Sequence, residues 1–184
     1  MDDYQLQTMT LEAFADTIIP GEKRAPDDRA IAGVSDGGGA VAAGAIELLE
    51  WDATGVSEGL GPLSAALNGH ATAYAQELGL TLDESVPPFV ALAFADRTAL
   101  VERLTTPGHP EKDGWVLLAL FSNMAYDSAA HMSTTDAIEQ GHPGLLAMGF
   151  AKPESDGLWR FPKYSYGRVL AKSHPDTTES GSLS

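Results

Sequence analysis

"PEKDGWVLLALFSNMAYDSAAH", residues 110–131, decides the fold. Trp115, Leu118, Phe121, Ala125 and His131 follow a rough helical period. The stretch is apolar almost all round until Ser122, the pattern of a central helix buried on every side. Such a helix needs other helices packed around it, and the flanking sequence supplies them. Immediately upstream, a long helix is expected between Pro87-Pro88 and Pro107-Gly108, with Phe89, Leu92, Ala93, Leu100 and Leu104 as its apolar stripe. "GPLSAALNGHATAYAQELGL", residues 61–80, places Leu63, Leu67, Ala71, Tyr74 and Leu78 on one face and ends at Gly79.

Nearer the N-terminus, Thr10 precedes "LEAFADTII", whose Leu11, Phe14 and Ile18 mark an amphipathic helix stopped by Pro20-Gly21. "GEKRAPDDRAIAG", residues 21–33, reads as a loop with a turn at Pro26-Asp27. Gly37, Gly38 and Gly39 then lead into an alanine-rich helix. Glycines ahead of a helix can cradle phosphate, but neither GxxxxGK[ST] nor GxGxxG after a strand is present. The expectation is a flexible loop feeding a helix whose Ala42, Ala43 and Ala45 allow close approach. Downstream of residue 131, Thr134 or Thr135 can cap a short helix "TDAIEQ" that Gly141 ends, and His142-Pro143-Gly144 reads as a turn. Beyond about residue 141 the sequence is rich in Gly, Pro and aromatics without periodicity. The fold class expected is all-α, an irregular bundle of about five helices with an ordered, aromatic-rich, irregular C-terminal segment. One helical domain is expected over 1–172, followed by a polar, disordered tail at 173–184.

The 184 residues suffice for one domain with a real core, and 43% hydrophobic residues mark it as globular. Twenty-six acidic against 11 basic residues give a formal net charge of -15. So acidic a surface repels phosphate backbones and anionic lipids, which argues against nucleic acid and membrane surfaces as partners. The chain has no cysteine, which excludes disulfides, thiolate nucleophiles and thiolate metal sites. No secretory or twin-arginine signal opens it, and no apolar run is long enough to span a bilayer. A cytoplasmic location is the expectation, with export only if a partner carries the signal.

The densest reactive chemistry lies in residues 125–150. Asp127 and His131, four apart at the end of a helix, can share a face and pair, as in a general-base dyad. Ser122, Ser128 and Ser133 lie nearby, but no GxSxG elbow exists. Asp127, His131, Asp136 and His142 mix imidazole and carboxylate as zinc or non-haem iron sites do, yet HExxH and repeated ExxH pairs are absent. Most of these polar residues also have a structural task available. A histidine at a helix C-terminus, for example, is favoured by the macrodipole.

Two stretches carry a family resemblance. "LEAFADTIIPGEKRAP", residues 11–26, resembles the opening element of gluconate 2-dehydrogenase subunit 3-type proteins. "GHPGLLAMGF" and "GLWRFPKYSYGRVL", residues 141–150 and 157–170, are similar to the C-terminal part of an actinobacterial branch of that family. The resemblance implies a small helical companion of a larger flavoprotein dehydrogenase of the glucose-methanol-choline type. In that reading FAD sits on the partner, while this chain holds no cofactor, no metal and no catalytic residue. Exported members often carry a twin-arginine signal, which this sequence lacks, so a soluble intracellular complex is implied. Partner contacts would come from Trp159, Arg160, Phe161, Tyr164 and Tyr166, a cluster of typical interface anchors, and from Ile18, Ile19 and Pro20. Both groups could equally cover the protein's own core. Two alternatives stay open: a stand-alone enzyme, with or without a metal, using Asp127, His131 and His142, and a helical module that binds a small ligand.

Overall fold

The structure is a computed structural model that describes residues 2–152. Trp159, Arg160, Phe161, Tyr164 and Tyr166 and the expected boundary at 172 lie outside the described residues. Within them the chain is helical, with eight α-helices and no strand: α1 Asp3–Ile18, α2 Ala45–Glu50, α3 Leu60–Leu78, α4 Pro88–Ala91, α5 Phe94–Thr105, α6 Lys112–Ser128, α7 Thr134–Glu139 and α8 Pro143–Ala147. The all-α class is as expected; the count exceeds about five because α4 and α5 divide one expected helix and several others are single turns.

α1 begins about two turns before the expected Thr10 cap. Asp2 accepts a hydrogen bond from the Gln5 N–H at 2.8 Å, and the Gln5 side chain accepts from the Asp2 N–H at 3.1 Å, closing a capping box. Thr10 is therefore interior: its buried hydroxyl donates to the Leu6 carbonyl at 2.7 Å and accepts from Asn68 on α3 at 3.0 Å. The main core gathers around Phe14, whose ring lies 6.4 Å from both Phe89 and Trp115, with Leu11, Leu60, Leu67, Leu100 and Leu118 packed about it. Burying each such side chain stabilises the fold by roughly 1.5–3 kcal/mol.

The long helix expected from Pro88 to Thr106 is broken. Leu92 and Ala93 are extended, with ψ of 142° and 154°. A buried arginine compensates for the carbonyls this leaves without helical partners. Arg97 donates to the carbonyls of Leu92 at 3.1 Å, Val90 at 2.7 Å, Ala30 at 2.7 Å and Arg29 at 3.2 Å. It thereby fastens the loop at Arg29-Ala30 to the break. Asp16, 1% exposed, does the same at the end of α1, accepting from the N–H groups of Gly21 at 3.0 Å and Ala32 at 2.7 Å.

α6 departs from the expected all-round burial. Only Trp115, Leu118, Ser122 and Ala125 are buried, while Val116, Leu117 and Leu120 are 41%, 37% and 50% exposed. Its apolar composition does not reflect a central position, because α1, α2, α5 and α8 cover one side of it and leave the other open. Among the described residues no helix is long and apolar enough to cross a membrane.

Candidate functional site

Three segments converge beside α6, the first of them distant in sequence from the other two. The first is the glycine–alanine run before α2. Its glycines serve backbone contact: a Cβ on Gly39 would collide with the Ile19 carbonyl, the Gly21 nitrogen and Pro20. The Ala40 N–H donates to the Ile19 carbonyl at 3.0 Å, and the Glu22 N–H to the Gly37 carbonyl at 2.8 Å. The chain then turns at Gly44 in the left-handed region, φ 87°, and enters α2 with Glu47 exposed in its first turn.

The second segment follows α6. The helix ends at Ser128 because Ala129 adopts φ 48°, also left-handed. This overturns the expected Asp127/His131 pair: His131 lies beyond the helix, so the two residues share no helical face. Asp127 is exposed and accepts instead from the Asn123 amide at 3.1 Å. The His131 ring stands on Gly44, where any Cβ would collide with Nε2 and Cε1.

The third segment is Gln140–Pro143. The expected turn at His142 is a helix start: Nδ1 of His142 accepts from the Leu145 N–H at 3.2 Å and caps α8. Its Nε2 meets the Ala43 carbonyl at 3.0 Å. One nitrogen accepts and the other must donate, which fixes the Nε2–H tautomer. Likewise Ser133, rather than Thr134 or Thr135, caps α7, accepting from the Asp136 N–H at 3.2 Å.

His131 and His142 meet, with ring centroids 6.4 Å apart. They share a half-open cleft of about 420 Å³ with Gly44, Glu47, Met132 and Gln140. Nδ1 of His131 is buried without a hydrogen-bond partner. Burial lowers the His131 pKa below the ordinary histidine value; the neighbouring His142 adds to this and the Glu47 carboxylate opposes it. The ring is therefore favoured in its neutral form, with Nδ1 enclosed by the protein and the Nε2 edge lying against Gly44.

The other expected site residues have local tasks. Ile18, Ile19 and Pro20 are half-buried; Ile18 packs on the main core and Ile19 on a second cluster around Ala40 and Leu48. The hydroxyls of Ser122 and Ser128 donate to the Leu118 and Met124 carbonyls at 2.9 and 2.7 Å. Among the described residues no three His, Asp or Glu side chains are grouped to hold a metal ion. Gly44, Glu47 and Gln140 were not expected at a site. Their segments are far apart in sequence, and the only hint of close approach was the small-residue run around Ala43.

The chain belongs to DUF5987, a family of unknown function, whose sequence pattern matches residues 5–184. No curated protein and no solved structure matches it.

Proposed function

We propose that this member of a family of unknown function is a non-catalytic small subunit that binds and stabilises a larger FAD-dependent oxidoreductase of the glucose-methanol-choline type. The observation behind it is the outward face of α6. Val116, Leu117 and Leu120 stand exposed on one side of a 17-residue helix, in a protein of formal net charge -15. Exposed apolar residues on a rigid helix favour an apolar partner surface, and covering them returns roughly 25 cal/mol for each Å² removed from water. Asn123 and Asp127 continue the stripe as a polar margin, hydrogen-bonded to each other. The choice of a flavoprotein as partner rests on the resemblance of residues 11–26, 141–150 and 157–170 to gluconate 2-dehydrogenase subunit 3-type proteins. FAD would be bound by the partner.

The test is a pull-down of tagged protein from its native cell extract, with an absorbance spectrum of the eluate. A larger co-purifying chain with a flavin spectrum, lost from the Leu117→Lys/Leu120→Lys double variant, supports the reading. A lone, colourless protein ends it.

A second reading, a small-ligand site in the His131/His142 cleft, is favoured by the cleft's volume of about 420 Å³ and the Glu47 carboxylate on its wall, and is independent of the first.

A further inference from the structure

We propose that the cleft between Gly44 and the His131/His142 pair binds a small amine bearing a hydroxyl on the neighbouring carbon, with Glu47 taking the ammonium and His131 the hydroxyl oxygen. The lining selects this chemistry step by step. Among the described residues Glu47 is the only carboxylate that lines it, and no lysine or arginine does. An anion would face an uncompensated carboxylate on an acidic protein, whereas a cation gains a charge-assisted hydrogen bond. His142 is no free ligand, since both its nitrogens are committed, to Leu145 and Ala43. That leaves His131 as the imidazole able to meet a guest.

The tautomer of His131 follows from its burial. A buried N–H donor without a partner is rarer and costlier than a buried bare acceptor. Nδ1, buried and unpartnered, is therefore the bare nitrogen, and Nε2 carries the hydrogen. Nε2, at the Gly44 edge of the cleft and not enclosed as Nδ1 is, is the nitrogen left to donate to an oxygen on the ligand, and Glu47 calls for a donor or a positive charge beside it. An amine next to a hydroxyl supplies both from adjacent atoms. Gln140 can donate to or accept from a further hydroxyl. Val41, Met132 and Pro143 give the carbon skeleton an apolar wall. The volume, about 420 Å³, lies within the range of small-molecule sites and admits a molecule of monosaccharide size.

Nuclear magnetic resonance tests it on the full chain, following the Gly44 amide and the His131 ring nitrogens. The probes are ethanolamine and glucosamine, with glucose as the uncharged control. Saturable shifts with at least one amine, little response to glucose, and affinity about ten-fold weaker in Glu47→Gln are the expected results. Because Glu47 is exposed, that variant keeps the fold, which its unchanged spectrum away from the cleft verifies. No shift with either amine overturns the proposal, as does an equal response to glucose or undiminished affinity in Glu47→Gln.

Discussion

Asp16 shows how much of this fold hangs on single side chains. Its buried carboxylate is the acceptor for two backbone N–H groups that no helix or strand satisfies. Asp16→Ala orphans both, and chemical denaturation should show a loss of about 2–4 kcal/mol. Asp16→Asn should lose less, since the amide oxygen keeps one bond. His131 makes a pH prediction. Its folded pKa is lowered, so the unfolded chain takes up the proton first. Stability is then full above the ordinary histidine pKa, falls as pH drops through it, and levels off below the folded value. His131→Phe should flatten the part of the stability–pH curve that lies just below the ordinary histidine pKa of about 6.5. At this scale the sequence marked His131 and His142 as chemically notable and did not show whether they meet. The Asp127 pairing failed because the helix stops at Ala129, and alanine in a left-handed conformation carries no signal in composition or spacing.

Among the elements, α3 was the most legible: its stripe and the glycine after Leu78 gave both identity and end, and Gly79 does sit at φ 68°. The break between α4 and α5 was not legible, since neither proline nor glycine marks Leu92-Ala93. What stabilises the break is Arg97, whose partners include carbonyls 67 and 68 residues away. Arg97→Met should cost more than about 3 kcal/mol in denaturant titrations, by stranding several buried carbonyls. Arg97→Lys should recover little, because a compact ammonium cannot span four acceptors as a planar guanidinium does. The outward face of α6 behaves oppositely. Leu117→Lys and Leu120→Lys should each change stability by within about 0.5 kcal/mol, as surface positions do, so any loss of partner binding would be separable from unfolding. Composition alone made α6 look buried; only knowing which neighbours cover it reveals the open side.

For the molecule as a whole, the excess of acidic groups is only partly offset by ion pairs such as Arg24–Asp28 at 2.7 Å, Arg29–Asp83 at 2.8 Å and Arg103–Glu77 at 2.9 Å. Self-repulsion should dominate those exposed pairs, so thermal melts should shift upward as salt rises from about 0.01 M to 0.15 M, where the screening length shrinks from about 30 Å to 8 Å. The helical class was legible because apolar periodicity survives local misreadings of caps and breaks. The cleft was not, because it is made where residues 41–47 meet residues 131–143, and the sequence spacing within either segment says nothing about the other. The backbone of Gly44 also limits what this cleft can become. Any side chain added there strikes the His131 ring. Divergence within the family can therefore reshape the site by exchanging Val41, Met132, Gln140 or Pro143 and has no freedom at the glycine wall. Descendants that acquire a new ligand should keep Gly44 and differ at those other positions, so selectivity would evolve around a fixed point.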